Sequence, residues 1–316
     1  MFDFLPLSIQ QWILSILSSL FMFAGFMPPV TMNRPVADKV LEQKRKTFEP
    51  VVQRLVKQGV SQKFIDEMLA HSDTKFEESL VKINVSLRPA GNKKGYRSRS
   101  SAYDHVYTAN SIKSTKDFII EQKVLLEEAS KKYNVPAEVI ASILWVETRF
   151  GKYTGNNHVP SVYLSVAMAS EDKYLEENKK DLRATHKKKS TLQVLYKKLE
   201  ERSQKKADWA IEQLVALEKM QKTFPSNVLE LKGSWAGAFG LSQFLPASYL
   251  SWAVDGDKDG KINLYNFADA IHSVANYLKT NGWGETEEEK YNAVFHYNNS
   301  SAYVDAVLTL SEEAVK

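Results

Sequence analysis

The stretch "IASILWVETRFGKYTG", residues 140–155, places an acid on the apolar side of a helix. Pro136 suits a first helical turn, where its missing N–H costs nothing. Ile140, Ile143 and Leu144 then recur at the spacing of one buried stripe, and the next position on that stripe is Glu147. Gly151 is the expected stop. Glu138, in the first turn, answers to the positive end of the helix. Glu147 has no such reason to be there. Burial disfavours the charged form of a carboxyl and raises its pKa, which suits a general acid working near neutral pH. The ordinary structural alternative is an ion pair with Arg149 or a bond to a backbone amide.

Outward from this helix the pattern stays helical. Apolar positions three and four apart mark "VVQRLVKQGV" (51–60), "SQKFIDEMLA" (61–70), "STKDFIIEQKVLLEEASKKY" (114–133) and "ADAIHSVANYLKTNGW" (268–283). Residues 88–101, "RPAGNKKGYRSRSS", are basic, contain Gly and Ser and lack an apolar stripe, so a linker or long loop is expected. Residues 171–222 are dense in Lys and Glu and read as one or two exposed helices. The run Lys187–Lys189 reads as a solvated face. With no strand pattern or internal repeat, the class is all-α.

Composition is that of a globular protein, 43% hydrophobic and 25% charged, and a formal charge of +4 over 316 residues does not call for nucleic acid. Without cysteine, disulfides and thiolate metal sites are excluded. Phe4 to Asn33 carry no charge, and "LSIQQWILSILSSLFMFAGFM" (7–27) is long enough to cross a bilayer. The start lacks Lys and Arg and no clean small-residue cleavage site follows, which favours a signal-anchor over a cleaved signal. Arg34, Lys39, Lys44, Arg45 and Lys46 come next, and the positive-inside rule would hold that side in the cytoplasm.

Three further segments carry chemistry. In "GSWAGAFGLSQFLPASY" (233–249), small residues allow close backbone approach to a ligand, Gln243 both donates and accepts, and Trp235, Phe239, Phe244 and Tyr249 offer faces for sugar rings. A tight helix crossing would use the same residues. In "DGDKDGKINLYNFAD" (255–269), Asp255, Asp257 and Asp259 alternate before Gly260, and Lys261 offers a carbonyl, as in the start of an EF-hand loop. Asn266 stands at the twelfth position where a bidentate Glu is usual, and Asp269 at the fifteenth closes the site if the loop is longer. Three crowded aspartates repel unless a cation lies between them, so Ca²⁺ is expected as a structural ion. "VFHYNNSSAYV" (294–304) clusters Tyr297, Asn298, Asn299 and Tyr303, and taken alone serves equally as a helix cap.

"VETRFG", "GSWAGAFGLSQFLPASY", "DGDKDGKINLYNFADAIHSVANYLKTNGW" and "YNNSSAYV", taken in order, resemble the blocks of the membrane-bound lytic murein transglycosylase B family. The resemblance covers residues 100–316, and more weakly from about 50. It implies a lysozyme-like helical catalytic core with an N-terminal helical extension and an EF-hand-like calcium loop. The expected layout is a signal-anchor or signal segment (1–33), a helical accessory region and linker (34–100) and a transglycosylase domain (101–316). The last would carry a helical insertion at 174–215 and the calcium loop at 255–269. The same resemblance implies Glu147 as the single acid/base and Ser234, Gln243, Tyr277, Tyr297, Asn298, Tyr303 and Tyr103 as saccharide contacts. Asp255, Asp257, Asp259, Lys261 and Asp269 fall on its calcium ligands. The family's arginine pair beyond the catalytic helix has no match; near "ASEDKYL" there is only Lys173.

The implied reaction cuts the MurNAc–GlcNAc bond of peptidoglycan without water and leaves a 1,6-anhydro end. A hydrolytic muramidase would need a second carboxylate, for which Glu171 and Asp172 are candidates. A catalytically inactive glycan-binding scaffold gains nothing from a buried acid. Murein lies outside the cytoplasmic membrane. Function therefore overrides the charge bias, and the expectation is the periplasmic side of a bacterial envelope, anchored to the inner membrane by residues 7–27.

Overall fold

A computed structural model describes residues 34–87 and 97–316; the expected membrane segment (1–33) and most of the expected linker (88–96) lie outside the described residues. The chain divides after Gln43, and Lys44–Lys316 forms one compact unit in which residues 44–87 and 97–316 belong together. Among the described residues no helix is long and apolar enough to cross a membrane.

In chain order the helices are α1 (Arg34–Lys57), α2 (Gln62–Ala70), α3 (Ala109–Glu121), α4 (Lys123–Tyr133), α5 (Ala137–Thr148), α6 (Val159–Ala167), α7 (Asp172–Thr185), α8 (Lys189–Met220), α9 (Pro246–Trp252), α10 (Phe267–Thr280), α11 (Glu287–Tyr297) and α12 (Ser301–Ala314). The all-α expectation holds. The described exceptions are short: β1 (Asn157–His158) pairs antiparallel with β2 (Lys232–Gly233), with Asn157 opposite Gly233.

The helix α5 sits among α3, α4, α10 and α12. Val139, Ile140, Ala141, Ile143 and Leu144 are all buried, so nearly every face is apolar and not one stripe alone. A helix that is hydrophobic all round belongs in the interior. A second group packs α8 against α6, α7 and α9. The Lys/Glu-rich stretch thus becomes the α7–α8 hairpin, tied by Lys179 to Glu200 at 2.8 Å. It is less exposed than its composition indicates, because Leu195, Leu199, Ala207 and Ala210 turn inward.

The end of the expected linker is docked. Arg97 reaches Asp305 at 3.3 Å and Glu312 at 2.6 Å, and Ser98 donates its N–H to the Ser301 carbonyl. The cause is two carboxylates two turns apart on α12, far away in sequence from Arg97 and so invisible to local composition. The Tyr107 hydroxyl also donates to Asp305, at 2.6 Å, which seats the segment carrying Tyr103.

Candidate active site

Glu147 lies one residue before the end of α5. The helix stops at Thr148, earlier than Gly151, because Arg149 and Phe150 also take left-handed backbone, φ 49° and 56°, ahead of Gly151 at 91°. Such conformations strain residues that carry a Cβ and persist only when the surroundings over-determine them. Here the Phe150 ring stacks on Phe118 with centroids 3.8 Å apart. Thr148 Oγ1 donates to the Leu241 carbonyl at 3.0 Å and accepts the Gly151 N–H at 3.0 Å. A Cβ on Gly151 would lie 2.6 Å from the Leu241 side chain. The turn after the acid is therefore clamped to the loop 233–245.

Burial pushes the Glu147 carboxyl up to about 7, against the opposing pull of Tyr303, whose hydroxyl donates to Oε1 at 2.6 Å. Tyr303 is buried in the first turn of α12, where Ser300 Oγ accepts its N–H. Its ring is stacked nearly parallel to Tyr297 at 6.3 Å, and Tyr103 meets it edge-on at 6.2 Å. Tyr277 packs edge-on against Tyr297 at 4.7 Å and donates to the His296 carbonyl. Burial, then the nearby Glu147 charge, raises the Tyr303, Tyr297 and Tyr103 hydroxyls above their ordinary range. They stay protonated and serve as donors.

Tyr297 donates to the Ser242 carbonyl at 2.6 Å, which joins the aromatic wall to the loop 233–245. On that loop Gln243 is left-handed, φ 49°, with its amide donating to the Gly240 and Thr154 carbonyls. Ser234 Oγ accepts the Ala238 N–H at 3.1 Å. Asn298 ends α11 and is exposed. Thus Tyr103, Tyr297 and Tyr303 gather at Glu147 and Tyr277 backs them. Ser234, Gln243 and Asn298 make no hydrogen bond to the acid. The Arg149 alternative fails: its guanidinium lies over the Tyr153 ring, 5.2 Å from the centroid, and not on Glu147.

The loop after α9 gathers Asp255, Asp257 and Asp269, which offer oxygens within 4.8 Å of one another. That donor set suits a hard cation. Gly260 makes the sharp turn at φ 87°. Asp259 is not among the three; its carboxylate accepts the Lys261 N–H at 2.7 Å. Asn266 cannot replace the missing Glu because its side chain caps α10 by accepting the Asp269 N–H, while its amide donates to Asp257. Asp269 is buried and accepts the N–H groups of Gly256 and Asn263. Burial raises its carboxyl while those amides pull the other way. The loop is bound to the segment 232–245 at two points: Leu241 N–H to the Leu264 carbonyl, and the Tyr265 hydroxyl to the Lys232 carbonyl, both 2.8 Å.

Residues 43–289 match the transglycosylase SLT domain family. The chain belongs to this family. It is 34% identical over 158 residues to the membrane-bound lytic murein transglycosylase B of Escherichia coli K12, a match covering 50% of this chain and 35% of that protein. The chain therefore spans about a third of that relative's length. The soluble lytic transglycosylase SltB1 of Pseudomonas aeruginosa shares the fold with a TM-score of 0.62 at 23% identity, over 85% of this chain and 98% of that one. Escherichia coli Slt35 in complex with calcium superposes with a TM-score of 0.61 at 20% identity, over 86% and 92%. The lysozyme-like helical core expected from the sequence is the fold observed.

Two residues of this SLT domain escaped the sequence. Thr148 links acid helix to loop, and Ser242 takes the Tyr297 hydroxyl through its main chain. A β-branched hydroxyl directly after a buried acid is a usable signal for the first; a backbone acceptor leaves none. Tyr303→Phe removes the bond that favours ionised Glu147, so its pKa should rise. The alkaline limb of the pH–rate profile should move upward by roughly one to two pH units, the worth of a charge-assisted hydrogen bond of about 1.5–3 kcal/mol. An unmoved limb in a folded variant would show that Tyr303 does not tune the acid.

Proposed function

We propose that this chain is a peptidoglycan lytic transglycosylase, with Glu147 as its only acid/base. The observation that carries this reading is a carboxyl held near pKa 7 by burial, touched by a tyrosine hydroxyl and by no charged partner among the described residues. Glu147 protonates the departing GlcNAc oxygen as the bond to MurNAc C1 breaks. The MurNAc 6-hydroxyl then attacks C1, and Glu147 takes its proton. Atoms balance with no water consumed, and the nucleophile arrives already positioned on the substrate. A hydrolase needs a second carboxylate, and neither Glu171 nor Asp172 is among the groups that shift the Glu147 carboxyl.

The test is digestion of purified murein in ¹⁸O-labelled water, with products read by mass spectrometry. Muropeptides lighter by one water, without reducing ends or label, support the reading. Labelled reducing ends would replace it with hydrolysis. The rate should fall as pH rises through about 7, because the acid must start protonated.

Calcium belongs to the same proposal, with Asp255, Asp257 and Asp269 as carboxylate ligands and the Lys261 carbonyl and Asp259 completing the expected set. Bound there, the ion would neutralise the crowded carboxylates and fix the loop. Location on the periplasmic face, anchored by residues 7–27, follows from where murein lies. Protease accessibility of the SLT domain in spheroplasts checks it, and full protection would refute it.

A further inference from the structure

Two of the most exposed aromatic side chains stand beyond the end of α5, Trp235 at 72% and Tyr153 at 64% exposure. The segments that carry them are tightly held. Ser234 brackets its turn through N–H to the Ala238 carbonyl at 2.8 Å and through Oγ, and the Tyr163 hydroxyl grips the Gly237 carbonyl at 2.9 Å. Gly237 is left-handed, φ 81°, and a Cβ there would strike the Tyr163 ring. On the other segment the Tyr153 N–H is bound to the Thr148 carbonyl, and the Thr154 carbonyl takes the Gln243 amide. The two segments touch where Gly155 meets Gly233; a Cβ on Gly155 would lie 2.2 Å from the Gly233 carbonyl oxygen. Each aromatic is two residues from that contact.

Rigid backbone that holds large apolar rings in water forgoes the burial those rings would gain in a core, a pattern of ligand surfaces. Arg149 adds a charge. Its guanidinium lies over Tyr153 and has no carboxylate partner among the described residues. Stacking on a ring leaves its planar fork of donors free, the geometry that takes a carboxylate in two bonds.

We propose that Trp235, Tyr153 and Arg149 form an outer subsite for a carboxylate-bearing saccharide unit, the rings taking the sugar face and the guanidinium the carboxylate. It rests on the glycan reading above and deepens it. The carboxylate has two possible sources in murein, the lactyl group of muramic acid where the peptide has been removed and the peptide itself where it is attached. Arg149 thereby reads the acidic substituent.

The test uses the full chain carrying E147Q, so that substrate is bound and not consumed, and three probes. These are neutral chitohexaose, murein strands stripped of peptide by an amidase, and peptide-bearing strands, each titrated by calorimetry. W235A and Y153A should each weaken all three by about 5- to 10-fold, the range for stacking of a single ring. R149Q, equally strained at that φ, should weaken only the anionic strands. Loss confined to peptide-bearing strands assigns the peptide carboxylate, loss confined to peptide-free strands assigns the lactyl carboxylate, which is an amide wherever the peptide is attached, and loss on both assigns a site that takes either. Unchanged binding by the three variants overturns the subsite and leaves the glycan reading intact. An equal loss on chitohexaose with R149Q overturns the role of the carboxylate. A parent that binds none of the probes removes the glycan reading, and the subsite with it.

Discussion

Glu147→Gln should lower murein cleavage by about 10³-fold or more and, at pH 8, make the protein more stable. The first effect follows from removing the group that both gives and takes the proton, since acid–base assistance contributes about 10²–10⁴-fold and nothing near Glu147 replaces it. The second follows from its pKa. Glu147 in the folded protein titrates near 7, above the 4.5 of an unperturbed glutamate. A raised folded pKa means stability is fully present below about 4.5, declines as pH climbs toward 7, and is gone above that. At pH 8 the buried carboxylate costs on the order of 3 kcal/mol, at about 1.36 kcal/mol per pKa unit. The substituted amide has no charge to bury, and its carbonyl still accepts the Tyr303 hydroxyl. Thermal melts of both proteins at pH 4.5 and pH 8, beside product analysis, decide the matter. An advantage for E147Q that does not grow with pH would mean Glu147 is not a perturbed acid.

Asp269→Ala should lower the melting temperature by roughly 5–10 °C. The buried carboxylate accepts two amides, Gly256 and Asn263, and leaving each unsatisfied costs about 1–3 kcal/mol. In a domain of this size each kcal/mol shifts the midpoint by about 2–4 °C. If Ca²⁺ is held there, a chelator should destabilise the wild type, by about 2.7 kcal/mol from a starting concentration a hundred times Kd. It should leave the alanine variant unmoved. Activity should follow, because Leu264 and Tyr265 hold the segment 232–245, and α10, capped by Asn266, carries Tyr277 to the aromatic wall. Identical melts with and without chelator would remove the metal and leave Asp269 as a loop-closing acceptor only.

The division between sequence and structure falls along chemical range. Apolar spacing of three and four identified the helices, and Glu147 stood out because one residue broke a local pattern. The acidic loop of Asp255, Asp257 and Gly260 was legible for the same reason: it is contiguous, so its order is its geometry. The backbone amides that these carboxylates accept, such as Lys261 N–H on Asp259, are what composition does not show.

What the sequence by itself determined is therefore the helical class, the acid and the acidic loop, each written within about fifteen consecutive residues. Tertiary structure alone decided the rest. Tyr303 reaches Glu147 across 156 positions. Arg97 closes on α12 from a segment that reads as a linker, and Arg149 turns to Tyr153 where the sequence allowed it to pair with the acid. The pKa near 7 belongs to this second group, because desolvation is the sum of what every neighbouring helix removes from water, and no local pattern contains that sum.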